Sequence, residues 1–281
     1  MINRLTILLI LIQISFLQKI AMKDMLIQKP FYHLSEDEIN LLLPRYHEKY
    51  NDFNSRLKAI ALDRLGTPYD FKAIGDGSGT EPKPFFRIDV TNCTAFVLTN
   101  MALASSRTFQ EAKSFMVLLN YYPASENTNP VRYENRCHFT ADRLLTSAYF
   151  QLITDQIADS GELNTIKLTL NRQADGSHFL PIDWEKEVEI FFIPKKYLTG
   201  KLLKKLPSLC GVGIIRTDLF LKGIIVAHEG IVLDGRDFVH ASKDAQKVVI
   251  EDFLQYTRKR NKKTWKPVCD GIILYLMKEV D

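Results

Sequence analysis

The hydrophobic period of this chain changes once, and that change bounds its fold. In the first half, apolar residues recur at helical spacing. Phe53, Leu57, Ile60, Ala61 and Leu65 share one helix face over 51–65. From Cys210 onward the pattern becomes short apolar runs between turn residues, at 212–215, 223–232, 236–241, 248–250 and 271–276. Helices first and strands afterwards define an α+β domain built on a small antiparallel sheet. A chain of 281 residues, 46% apolar, can bury one full core. The expected organisation is one domain over 51–281, with an extension at 24–50.

Local signals refine this. Ser35 and Glu38 open a helix in the extension, which Pro44 is expected to interrupt. Residues 70–90 are rich in Gly, Pro and Asp and read as a long loop. Thr91 or Asn92 caps the next helix, so Cys93 falls in its first turn. Thr108 and Glu111 have capping-box spacing and start another helix, running to Tyr121. Residues 138–158 read as helical. The stretch 155–200 alternates polar loop with short strands and is expected to be an insertion apart from the core.

The ends and the charge address compartment and partners. Residues 1–23 place one Arg ahead of an apolar run over 5–17, the pattern of a signal peptide and too short for a comfortable membrane span. Export to the periplasm or cell envelope follows. No clean small-residue cleavage site is present, so an uncleaved segment would serve as a membrane anchor. A net charge of +4, from 37 basic and 33 acidic side chains, suits an anionic partner without requiring nucleic acid, and none is expected. The basic run at 258–263 reads as a solvated surface, with contact to an anionic polymer as the alternative. Cys93, Cys137, Cys210 and Cys269 are widely spaced, pointing to neither a disulfide framework nor a zinc knuckle.

Cys93 is the candidate nucleophile because of its position. Amides at a helix start are unpaired and carry the positive end of the dipole, which favours thiolate and can receive an oxyanion. By itself, a Cys on an apolar helix is more often core. The candidate base lies downstream. A three-residue loop Leu233-Asp234-Gly235, with Gly235 at positive φ, pairs 232 with 236 and sets His228 opposite His240. One imidazole could then take the thiol proton while the other orients it. A zinc site using both His and a third ligand is the competing reading. Against it, no HExxH is present and no carboxylate has obvious ligand spacing.

Four motifs occur in the order of a known superfamily: Leu65-Gly66-Thr67-Pro68-Tyr69, Asn92-Cys93-Thr94-Ala95-Phe96-Val97, His228-Glu229-Gly230 and His240-Ala241-Ser242. They resemble the papain-like NlpC/p60-type cell-wall peptidases. With Arg136-Cys137-His138-Phe139-Thr140-Ala141-Asp142, the chain more closely resembles their N-acetylmuramoyl-L-alanine amidase-like branch. The resemblance implies a papain-like core, with the Cys-bearing helix packed on the sheet. Cys93 would be the nucleophile, His228 the base and His240 the orienting residue. It sets Tyr69 near the reacting carbonyl, with Asn92, His138 and Asp142 on the substrate side of the cleft. Peptidoglycan or muropeptide would be the substrate, cut between N-acetylmuramic acid and L-alanine, with neither metal nor organic cofactor. A γ-D-glutamyl-diamino acid endopeptidase and a non-catalytic cell-wall binding protein are the alternatives. Asn92 replaces the family's usual Asp, and Glu229 its usual apolar residue.

Overall fold

Residues 29–74, 86–123 and 131–281 are described in the computed structural model. The expected signal segment and much of the 70–90 loop lie outside them. Helix α1 (Glu36–Lys49) opens on a complete capping box between Ser35 and Glu38, as its spacing predicts. Pro44 does not interrupt it. Leu43 and Tyr46 are buried on either side of the proline, and that packing offsets the roughly 3 kcal/mol that an interior proline costs. Helix α2 (Phe53–Asp63) is capped by Asp52 and buries Phe53, Leu57, Ile60 and Ala61.

Helix α3 (Cys93–Ser105) is capped by Asn92, whose side chain accepts from the Ala95 N–H at 2.9 Å. It is buried from Ala95 to Ala104 with no polar face, so it forms the centre of the helical layer. Helix α4 (Phe109–Asn120) starts on the Thr108–Glu111 capping box. The helix expected over 138–158 is broken. Only α5 (Thr140–Thr146) and the single turn α6 (Thr154–Ile157) form, with strand β1 (Phe150–Leu152) between them. Phe150 packs edge-on against Tyr275, and β1 pairs with the last strand, so tertiary pairing overrides the local helical pattern.

The remaining strands are β2 (Asn164–Leu170), β3 (Lys186–Pro194), β4 (Leu209–Ile215), β5 (Val226–Leu233), β6 (Asp237–Ser242), β7 (Lys247–Asp252) and β8 (Gly271–Met277). Short helices α7 (Gly200–Leu203) and α8 (Phe253–Arg258) interrupt them. The sheet is antiparallel throughout, in the order β2-β3-β8-β4-β5-β6-β7, with β1 also on β8. The β2–β3 hairpin is not an excursion from the core. Ile193 and Pro194 pair with Ile272 and Gly271, and Ile166, Leu170, Val188 and Ile190 join the main apolar cluster.

Alternation along the strands separates two apolar layers. Ile231, Leu233, Val239, Ile273 and Tyr275 face the helical layer. Val232, Phe238, Ile272 and Leu274 face a second cluster with Leu202, Leu203 and Phe253. This mixed architecture is the α+β class expected from the period change. Among the described residues, no helix is long and apolar enough to cross a membrane.

Candidate active site

The β5–β6 hairpin turns at Asp234-Gly235, with Gly235 at φ +64° as the sequence requires, but its register differs from the expected one. Leu233 pairs with Asp237, Val232 with Phe238 and Ile231 with Val239. The ladder covers only those three pairs, and the start of β5 carries a bulge against β4 between Ile214 and Ile215. Continuing this register sets His240 beside Gly230, not opposite His228. The imidazoles still meet, because a two-residue offset preserves the face. His228 Nε2 lies 2.8 Å from His240 Nδ1, with the rings edge-to-face at 4.9 Å. Gly230 makes this diagonal contact compatible with the packing. A Cβ there would lie 2.6 Å from the Phe238 ring, 2.7 Å from the Val239 carbonyl and 2.8 Å from His240 Cβ.

His240 is buried, stacked on Phe238 at 4.4 Å and edge-on to Tyr256 at 5.0 Å. Its Nε2 has no hydrogen-bond partner, and its nearest charge is Glu251 Oε1 at 3.6 Å. Glu251 is itself paired with Lys259. Burial, followed by the charge of His240, pushes the His228 pKa down to about 3. Burial also lowers that of His240. Both rings are therefore neutral at physiological pH.

Cys93 lies at the head of α3, which packs on β5 and β6. It lines a cleft of about 440 Å³ together with His228, Tyr69, Asn92 and His138. Among the described residues no hydrogen bond joins the sulfur to either imidazole. Cys93 and His228 both line the cleft, and His240 does not. The helix start does not produce a resting thiolate. Burial and the Glu229 carboxylate push the Cys93 pKa up to about 11, outweighing the Glu229 and Thr94 backbone N–H groups that pull the other way. Cys93, Cys137, Cys210 and Cys269 are all free, and the last three are buried.

The other expected site residues separate. Tyr69 is tied by its backbone to Gln246 and Thr91, and burial raises its hydroxyl pKa to about 12, leaving a proton donor at the cleft. Asn92 serves as the helix cap, and its amide donates to the Phe71 carbonyl at 3.1 Å. His138 lies on the cleft wall, Nε2 2.7 Å from the Tyr133 carbonyl, its pKa lowered to about 4 by burial. Asp142 does not line the cleft. It is fully buried, accepting from Tyr122 and from Lys186 Nζ at 2.7 Å, so it joins α5 to the start of β3.

The network around Glu229 was not anticipated in the sequence. Arg143 Nη2 reaches both Glu229 oxygens at 2.8 Å. Thr94 donates at 2.7 Å, Thr140 at 2.9 Å and Tyr275 at 3.1 Å. One buried carboxylate thus ties α3, α5 and β8 to the strand that carries His228. Its signal was visible as a lone acid inside the apolar run 224–232, though its partners lie 46 to 135 residues away. Among the described residues, no three of His, Cys, Asp and Glu gather as metal ligands.

This mixed fold is shared with solved bacterial structures. A Legionella pneumophila protein from a domain family of unknown function aligns with TM-score 0.65 at 17% identity, covering 86% of this chain and 94% of its own. A Bacteroides uniformis N-acetylmuramoyl-L-alanine amidase aligns with TM-score 0.60 at 19% identity, covering 80% and 99%. A Bacteroides fragilis protein provisionally described as a xylanase aligns with TM-score 0.58 at 17% identity, covering 78% and 99%. At these identities the likeness is one of fold. Family membership comes from the sequence itself. Residues 59–264 match the AmiA-like, N-acetylmuramoyl-L-alanine amidase-like family, and the chain belongs to it. A comparison with curated proteins returns no match.

Proposed function

We propose that this protein is a cysteine amidase of peptidoglycan, cutting the bond between N-acetylmuramic acid and L-alanine on a papain-like, NlpC-type core. One observation carries the reading: a thiol at a helix start opens onto the same cleft as an imidazole already bonded to a second imidazole. Family membership and the amidase among the fold relatives support the substrate class. The apolar start of the chain, outside the described residues, supports delivery beyond the cytoplasm, either released or held at the membrane.

With His228 Nε2 engaged by His240, Nδ1 is the nitrogen left to serve the sulfur. For Nδ1 to accept a proton, Nε2 must donate to His240 Nδ1, and the His240 proton then points from Nε2 towards Glu251. The thiol and the base start neutral, so proton transfer accompanies attack. As Sγ bonds the carbonyl carbon, its proton passes to His228. The C–N bond breaks, the imidazolium protonates the departing amine, and a thioester remains on Cys93. Water then attacks the thioester, giving one proton to His228, which returns it to the sulfur. Tyr69, which lines the cleft, and the α3 amides would donate to the developing oxyanion. Glu251 favours the transient positive charge on the imidazole pair.

Incubation of defined muropeptides with wild type and with Cys93→Ala, read by mass spectrometry, tests this. Wild type should release free peptide stem and an intact sugar, and the variant neither. Cleavage within the stem would assign the endopeptidase reading instead, while undiminished cleavage by the variant would contradict cysteine catalysis.

A further inference from the structure

A second hollow of about 540 Å³ lies beyond the imidazole pair. It meets the first cleft at Ala227 and His228, which line both. The two differ in chemistry. Lys243, Lys259, Arg260 and Lys262 line the second, against Asp244 and Glu251, and Glu251 is already neutralised by Lys259. Part of the basic run read above as solvated surface therefore borders the site. The first cleft also carries Lys72 and Arg136, but its distinguishing surface is aromatic. Phe71 and Phe179 line it and stand 75% and 40% exposed. Exposed rings beside a nucleophile mark a ligand groove.

The reaction orients a substrate between these hollows. The acyl half must lie beside the sulfur, where Cys93 lines the aromatic cleft. The departing nitrogen must lie within reach of His228, which protonates it, so the rest of the amine half continues past that ring. Past that ring is the basic hollow. Building on the amidase reading, we infer that this hollow is the subsite for the carboxylates of the peptide stem, with the sugar held against Phe71 and Phe179.

Titration calorimetry on full-length Cys93→Ala tests the assignment. The probes are an N-acetylmuramoyl-peptide with free stem carboxylates and the same compound with those carboxylates amidated. Amidation should weaken binding about tenfold, as expected for two exposed ion pairs of ~0.7 kcal/mol each. The exposed substitutions Lys243→Gln and Lys262→Gln, combined in that background, should weaken the free-acid ligand to the same degree and leave the amidated one unchanged. Discrimination that survives the double substitution, or that never existed in the parent, would overturn the subsite. So would inorganic polyphosphate displacing the stem at lower concentration than the stem itself binds, since the hollow would then belong to a phosphate polymer. If no muropeptide binds and wild type cleaves none, the amidase reading falls as well; cleavage without discrimination removes only the subsite.

Discussion

His228 and Glu229 are consecutive in β5 and face opposite sides of the sheet, and the two sides are built differently. Glu229 turns to the helical layer, where five hydrogen bonds reach it from Arg143, Thr94, Thr140 and Tyr275, and no water is needed to satisfy it. His228 turns to the layer of Phe238 and Tyr256 and makes a single bond, to His240. A solvated Glu251–Lys259 pair lies beyond. The helix-facing side is a closed polar network around Glu229 that holds geometry. The imidazole side is a short relay ending in an open, basic hollow where protons and charged ligands can move. Alternation in a single strand is enough to keep the two jobs apart.

The comparison breaks most easily at Glu229. Glu229→Ala strands the buried Arg143 guanidinium, whose side chain is 0% exposed in the pair, and should cost about 3–5 kcal/mol in urea unfolding. A loss under about 1 kcal/mol would mean the network is not closed. Gly230→Ala should come next. The added methyl meets the Val239 carbonyl at 2.7 Å, so about 1–3 kcal/mol of stability is expected to go, with kcat falling as the imidazole pair is pushed apart. Unchanged turnover would show that the diagonal contact does not matter. Glu251→Gln should leave stability within about 1 kcal/mol, because the residue is partly exposed, yet lower kcat several-fold. Activity and melting measured on one preparation separate these outcomes.

The remaining effect concerns pH. His138 and His228 have folded pKa values of about 4 and about 3, below the ordinary 6.5. Between those values and 6.5 the unfolded chain binds more protons, so stability rises with pH across that window. It is complete above about 6.5 and is lost as pH falls towards 4 and 3. The melting temperature should drop on acidification from pH 6.5, and His138→Gln should flatten that slope. A melting temperature independent of pH over that range would remove the neutral-imidazole picture.

Much of the frame was legible because its signals are local. Caps at Ser35, Asn92 and Thr108 depend on a few neighbouring residues, as does the positive-φ Gly235 of the β5–β6 turn, although the register of that hairpin lies two residues from the expected one. The errors fall where distant partners decide. Pro44 stays helical because Leu43 and Tyr46 pack on either side of it. The 138–158 segment breaks because β8 offers Phe150 a strand partner. Asp142 reads as a cleft residue until Lys186 and Tyr122 are seen to enclose it. The state of the Cys93 thiol was the subtlest. A helix start argues for thiolate, but burial and Glu229, 136 positions along the chain, argue more strongly for thiol.

The claim at the centre is that the Cys93 sulfur becomes acylated and that His228 drives the step. Rapid acid quenching of wild type with an N-acetylmuramoyl-peptide, followed by peptide mass mapping, examines it directly. A thioester of the muramoyl acid should appear on the peptide containing Cys93 and be absent when His228→Ala is quenched in the same way. Turnover with no adduct on that peptide, or an adduct that forms equally fast without His228, would contradict the account.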